Sequence, residues 1–158
     1  MDFYLDAILA GKILGSGIGD PPGAMQEALG SDYLDDLYKG IKRRDYGLIE
    51  FAYQNDNGWV CRGVSIQVHR LAGGGADLVP EPVLASYGAF GRYVELDGVV
   101  EGLHGRGVGE DMIQRVAGRG FDELRIASCR ATAFAVNDLN CERGTKPGIG
   151  DVWTISIS

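Results

Sequence analysis

The chain has 158 residues, 25 of them glycine, and a formal net charge of −7. With 45% hydrophobic and 23% charged residues it has the composition of a globular protein, which excludes wholesale disorder. The acidic balance argues against sequence-independent binding to nucleic acid or to an anionic membrane, because both require a basic surface.

The first forty residues favour helices, which the many glycines interrupt. Apolar residues at helical spacing predict a first helix over 3–9, ended by Gly11. Asp20 is expected to cap a second helix, which spans 24–29 after two prolines and stops at a glycine. The segment 31–40 is rich in aspartate and is predicted to be a polar helical turn or loop.

The strongest local signal is a β-hairpin in the middle of the chain. Residues 48–53 alternate between apolar and polar, Asn57-Gly58 is typical of a turn, and 59–71 is a long β-rich run. Side chains alternate along a strand, so the run has two faces. The expected core face holds Val60, Val64, Ile66 and Val68, and the expected polar face holds Cys61, Ser65, Gln67 and His69.

The second half repeats the order of helices before strands. Helices are predicted over 94–103 and 110–117, and strands over 124–127, 131–136 and 152–157 with a loop at 140–150. Helices followed by strands indicate an α+β fold, with an antiparallel sheet and helices packed on one face.

The chain is expected to form a single α+β domain over 1–158. A Gly/Pro-rich loop after residue 72 suggests a subdivision into 1–72 and 83–158. A duplication into two similar halves is a further interpretation. It rests on the similarity of Met25–Gly30 to Ile113–Gly118.

No pattern in the sequence identifies a reaction or a cofactor. Gly15–Gly19 lacks the spacing and the preceding strand of a dinucleotide-binding loop, which favours a connector. The two histidines are far apart and the aspartates lack a cation-binding loop pattern, so no metal is expected. Cys61 and His69 would lie about 26 Å apart on a straight strand, too far to act as a catalytic dyad.

The three cysteines and the N-terminus favour a cytoplasmic protein. Cys61, Cys129 and Cys141 are odd in number and widely spaced, which is typical of reduced, mostly packed thiols. The first residues lack a signal peptide, and no apolar run approaches the length of a membrane span.

The negative charge is concentrated before residue 41. Residues 1–40 hold two lysines and seven carboxylates, a net charge of −5. An acidic surface of this kind favours capture of a basic partner, because complementary potentials steer association. The basic run Lys42-Arg43-Arg44 is expected to pair with the nearby aspartates rather than to bind phosphate.

The polar strand face has two interpretations. Glu50 on one strand, with Ser65, Gln67 and His69 on the next, could form an ordinary solvated face or a recognition face. The loop Cys141–Asp151 is a second candidate contact region, because functional groups concentrate on loops held by a scaffold.

The first 70 residues resemble small actinobacterial cytoplasmic proteins of the immunity type, encoded beside secreted polymorphic toxins. The resemblance lies in Leu14-Gly15, in the helix Pro-Pro-Gly-Ala-Met-Gln-Glu-Ala-Leu-Gly, and in the segments 44–51 and 66–71. The same helix–glycine–helix–hairpin order is also similar to the BamE-like lipoprotein domain. In the immunity family, the implied activity is tight binding to a cognate toxin's active region, without catalysis.

The leading hypothesis is therefore a non-enzymatic toxin inhibitor with no catalytic or metal-ligating residues. The partner would be a protein toxin domain with a basic surface. One alternative is a small hydrolase in which His69 or His104 works with a carboxylate as general acid and base. Another is a structural or ligand-sensing module attached to secretion machinery. The candidate partner-binding residues are Asp32, Asp35, Asp36, Glu50, Gln67 and His69.

Overall fold

The structure is a computed structural model that describes all residues from 1 to 158. The helices are α1 (Asp2–Ala10), α2 (Pro22–Leu29), α3 (Arg70–Gly74), α4 (Glu81–Tyr87) and α5 (Leu96–Gly105). The strands are β1 (Lys12–Ile13), β2 (Ser16–Gly17), β3 (Leu34–Tyr38), β4 (Ile41–Asp45), β5 (Ile49–Asn55), β6 (Trp59–Ile66), β7 (Ile113–Ala117), β8 (Phe121–Ile126), β9 (Ala131–Val136) and β10 (Val152–Ile157). The predicted α+β class is confirmed.

Eight strands form one antiparallel sheet in the order β3-β4-β5-β6-β10-β9-β8-β7. Each half of the sheet is a four-stranded meander, β3–β6 or β7–β10, and each meander follows a group of helices. The last strands of the two meanders pair with each other at the centre, where Ile66 lies opposite Ile155 and Val64 lies opposite Ile157. The two halves are therefore similar in topology and share one continuous sheet.

The core lies on one face of this sheet, under the helices. Core-facing side chains of β5 and β6, such as Phe51 and Val64, are almost completely buried, as are Leu124 and Ile155 of the second meander. They belong to a single apolar cluster that also includes residues of α1, α2, α4 and α5. At roughly 25 cal/mol per Å² of apolar surface removed from water, burial of this kind is the main favourable contribution to folding.

Two predicted helical segments are strands instead. Residues 34–38, expected in a polar turn or loop, form β3, and residues 113–117, expected in a helix, form β7 after a short 3-10 turn at Glu110–Met112. Both are edge strands whose conformation depends on pairing with a neighbour, β4 or β8. The six-residue comparison between the halves is wrong as well, because it aligns helix α2 with strand β7.

The other local predictions divide between confirmed and wrong. Helices α1, α2 and α5, the central hairpin and β10 are confirmed. Asp20 does not cap α2, because Pro21 occupies the cap position and the Asp20 carboxylate accepts the N–H of Gly17 at 2.9 Å. The β-rich run ends at Ile66 rather than at 71, since α3 begins at Arg70.

A β-bulge in β6 changes which side chains enter the core. Ala52 lies opposite Gly63 but Tyr53 lies opposite Cys61, so Arg62 is an extra residue without a partner on β5. The bulge shifts the alternation by one residue. Cys61 is consequently buried, and its expected place on the polar face is wrong.

None of the five helices combines the length and the apolar character needed to cross a bilayer.

Candidate binding face

The sheet surface opposite the helices, called here the open face, presents one polar row across six strands. Successive pairing partners place these side chains side by side, and they alternate with the buried core residues. The row consists of Asp45, Glu50, Ser65, Ser156, Thr132 and Arg125. The residues at its centre are small, carry hydroxyl groups and are half-buried between their strand neighbours. The centre of the row therefore projects little from the sheet, and both ends of the row are charged.

Glu50 interacts with three side chains on the open face. Its carboxylate accepts hydrogen bonds from Arg70 and from Gln67 (Nε2 to Oε2, 3.1 Å), and Arg43 lies 3.9 Å away. Arg70 also donates to the carboxylate of Asp45 at 3.0 Å. Bonds between charged groups in this partly buried setting hold each side chain in one orientation. Glu50 and Gln67, both predicted contact residues, are thus pre-ordered and directly joined.

His69 lies on the surface of Trp153. The two rings are parallel within 5° and their centroids are 4.4 Å apart, while Phe121 contacts the indole edge-on at 5.7 Å. The Nδ1 atom of His69 lies 3.2 Å from the Trp153 carbonyl oxygen, so Nδ1 is the protonated ring nitrogen. Partial burial lowers the pKa of His69 below its ordinary value, which favours the neutral imidazole near pH 7.

Large apolar side chains are exposed on the open face. Leu34, Tyr38 and Ile41 belong to the β3–β4 hairpin and are 78%, 65% and 56% exposed, and Phe121 of β8 is 37% exposed. Exposed apolar groups concentrated on one surface are typical of interaction sites. Both halves of the sheet contribute, with the Glu50 network between them.

Asp35 and Asp36 point to opposite faces of β3. Asp36 lies on the open face, where its carboxylate is 3.8 Å from the guanidinium of Arg43. Asp35 lies on the helix side and accepts two hydrogen bonds from Arg44, at 2.7 and 2.8 Å. The hydrogen bonds from Arg44 hold the pKa of Asp35 below its usual value. Asp35 therefore has a structural role, and the expected pairing of the basic run with the aspartates is present.

The acidic N-terminal segment is not a free acidic patch. Five of its seven carboxylates are ion-paired: Asp2 and Asp6 with Arg106, Asp20 with Lys12, Asp35 with Arg44 and Asp36 with Arg43. Asp32 is one of the two without a cation, and it lines a cleft of about 640 Å³ with Asp77 and Glu81, which are also unpaired. Excess negative charge is thus concentrated in this cleft, beside the first residues of β3.

The histidines and cysteines are distributed over different parts of the fold. No group of three or more His, Cys, Asp or Glu side chains is placed to hold a metal ion. His69 makes no hydrogen bond to a carboxylate, and neither His69 nor His104 lines any of the four principal clefts. The three cysteines are free, with Cys61 buried and the other two half-buried.

The Gly15–Gly19 run is a tight connector. It supplies Gly15 of the turn and all of β2 to the β1–β2 hairpin, and a Cβ atom on Gly17 would lie 2.6 Å from the carbonyl oxygen of Gly11. Glycine is required there because the two backbones approach closely.

Sequence reasoning missed four contributors to the open face: Arg70, Trp153, Phe121 and the exposed apolar residues of β3. Trp153 is the extra residue of a second irregularity, between Val152 and Thr154 of β10. The sequence signal that could have identified Trp153 is a large aromatic residue within a predicted strand whose other apolar residues are Val and Ile. The contact with His69 joins residues 84 positions apart, which local pattern cannot predict.

The comparisons with known proteins give no relative for this chain. No protein-family model matches it, and no match to a curated protein or to a solved structure was found.

Proposed function

We propose that the chain is a non-enzymatic inhibitor that binds a protein partner on the open face of its sheet. In this proposal the partner is the toxin domain of a secreted polymorphic toxin, and the chain is its cytoplasmic immunity protein. The observation on which the proposal depends is an eight-stranded sheet with one face uncovered, on which ordered polar groups lie between exposed apolar side chains.

The order of the open face supports a binding role. Glu50, Gln67 and Arg70 hold one another in place, and His69 is held by Trp153, so little side-chain entropy remains to be lost when a partner docks. Trp and Arg are also the residues most often found at the energetic centres of protein interfaces.

The distribution of charge supports a partner that is basic at one position. Most carboxylates near the open face are already paired, so the face itself is close to neutral. The cleft lined by Asp32, Asp77 and Glu81 adjoins the face near Leu34. A lysine or arginine of the toxin would meet uncompensated negative charge there, which favours fast and specific association.

The hydrolase alternative receives less support from the geometry. A general acid–base pair needs a histidine and a carboxylate within hydrogen-bond reach of a substrate cleft. His69 is committed to a main-chain carbonyl and to an indole ring, and His104 is exposed on α5 outside the principal clefts.

Co-expression tests the proposal directly. The C-terminal domain of a secreted protein encoded beside this gene would be expressed with or without the chain, and growth and complex formation would be measured. We expect the chain to restore growth and to co-purify with the domain. Phe121→Lys combined with Arg125→Glu should weaken both effects, because the first change introduces a charge on the open face and the second reverses one. Leu139→Lys, at an exposed residue outside the sheet, is the matched control. No rescue together with no complex would contradict the proposal.

A further inference from the structure

Strand β3 is an outer edge of the sheet with all five residues exposed. The β3–β4 turn has positive φ angles at Lys39 (44°) and Gly40 (80°), as in a two-residue hairpin. In such a hairpin the flanking residues Tyr38 and Ile41 exchange main-chain hydrogen bonds, and every second pair along the ladder does the same.

This alternation leaves the main-chain groups of two β3 residues pointing outward. The N–H and C=O groups of Asp35 and Leu37 face away from β4, and no other segment of the chain bonds to them. An edge with free donors and acceptors is a template for another strand.

The side chains of this edge are also unusually apolar. Leu34, Leu37, Tyr38 and Ile41 are four of the eight large apolar residues exposed in the whole chain, and they lie within eight positions. The opposite edge differs, because Ile113 and Val116 of β7 are half-buried and Arg115 bonds to Asp97 of α5. Proteins usually shorten, charge or cover such an edge, so β3 has the properties of an interface.

We propose that β3 pairs antiparallel with β3 of a second copy of this chain, about a two-fold axis at Asp36. In this register the outward groups of Asp35 bond to those of Leu37 in the second copy, and the reverse, so that all of them are satisfied. On the open face, Leu34 of each copy lies opposite Tyr38 of the other copy. The two apolar side chains therefore cover each other on both sides of the axis.

The charges at the axis are self-complementary. The two Asp36 carboxylates would face each other, and each has its own Arg43 guanidinium 3.8 Å away. Two carboxylates and two guanidiniums therefore meet at the centre of the interface. The Asp35 carboxylate adds no repulsion, since Arg44 already binds it with two hydrogen bonds.

Sedimentation or light scattering over a wide concentration range tests the inference without any toxin, so its failure would leave the proposed function standing. We expect the chain to dimerise. Leu37→Pro removes an outward N–H that takes no part in the β3–β4 ladder, and an edge strand tolerates proline at such a position. Each dimer then loses two main-chain hydrogen bonds, so the dissociation constant should rise about tenfold or more. Circular dichroism and a thermal melt would verify that the variant folds.

The charge arrangement supplies a second, independent measurement. Arg43→Gln should weaken the dimer because the two Asp36 carboxylates then repel each other without a counter-charge. Asp36→Asn should weaken it less, because Arg43 keeps Glu50 as a counter-charge 3.9 Å away. The double variant Asp36→Asn/Arg43→Gln should dimerise more tightly than Arg43→Gln alone. Leu139→Lys is the control that should leave dimerisation unchanged. A chain that stays monomeric at every concentration, or a dimer that Leu37→Pro leaves intact, would overturn the inference.

Discussion

The ion pair between Asp35 and Arg44 joins three segments of the protein at a single guanidinium. Arg44 of β4 is only 4% exposed, donates to both oxygens of Asp35 and to the carbonyl of Pro22, and lies over the ring of Tyr33 at 3.6 Å. The planar donors of arginine suit this set of acceptors, and lysine could not replace them. The pair fixes the first residues of β3 and the start of α2 relative to the sheet.

Asp35→Asn should destabilise the protein by about 1–3 kcal/mol at pH 7, because Arg44 loses a charged acceptor while it remains buried. The folded protein holds the pKa of Asp35 below its ordinary 3.8. Its contribution is therefore present above pH 4 and is lost as the pH falls through the lower, folded-state value. Urea unfolding at neutral and at acidic pH should show a difference between wild type and variant that shrinks in acid.

Asp97→Asn is the matched control for this measurement. Asp97 also bonds to an arginine, Arg115, but it is highly exposed, so its loss should cost less than about 1 kcal/mol. An Asp35→Asn variant as stable as the Asp97→Asn variant at neutral pH would contradict the structural role of the buried pair.

Irregularities in two strands decide which side chains the two faces of the sheet display. The bulge at Arg62 turns Cys61 into the core, and the irregularity in β10 brings Trp153 to the open face beside His69. Without the bulge, alternation along β6 would place a thiol among the polar residues. Each extra residue thus repositions one reactive or aromatic group.

We expect Cys61 to be unreactive toward thiol reagents in the folded protein. It is completely buried, and burial raises the pKa of its thiol to about 11, so almost no thiolate forms at pH 8. Titration with a thiol reagent should show two reactive groups, Cys129 and Cys141, and a third only after unfolding. In the variant Cys129→Ser/Cys141→Ser, labelling at the rate of an unfolded chain would show that the bulge does not bury Cys61.

Features that depend on interactions between residues close in sequence were predicted correctly, and features that depend on distant residues were missed. The β5–β6 hairpin was predictable because its turn and its alternation lie within one short segment. β3 and β7 were missed because these two edge strands show no apolar–polar alternation in the sequence and take their conformation from β4 and β8. Glu50 and Gln67 were recognised from the hairpin pattern, whereas Trp153 and Phe121 join the open face only through pairing between distant strands.

The two meanders are joined through the pairing of β6 with β10 and through a shared core. The apolar cluster contains residues from both meanders and from all five helices. A boundary near residues 72–83 would cut the chain between segments that stabilise each other. One cooperative unit is the physical expectation for a core of this size.

The two tryptophans can measure this cooperativity, because Trp59 lies in β6 of the first meander and Trp153 in β10 of the second. Single-tryptophan variants Trp59→Phe and Trp153→Phe should each unfold in one transition. Within each variant, the unfolding curve from fluorescence should coincide with the curve from ellipticity. Circular dichroism also measures how much each substitution changes the stability, so that the two variants can be compared. A fluorescence transition that precedes the loss of ellipticity in either variant would indicate that the two halves unfold separately.

The position of α1 has a consequence for synthesis of the chain on the ribosome. Phe3 of α1 contacts Tyr87 and Phe90, and Asp2 and Asp6 bond to Arg106 at the end of α5. α1 therefore packs against segments translated some eighty to one hundred residues later. Its apolar face stays uncovered until α4 and α5 have left the exit tunnel. A nascent chain that ends before α5 thus exposes the apolar face of α1 to chaperones.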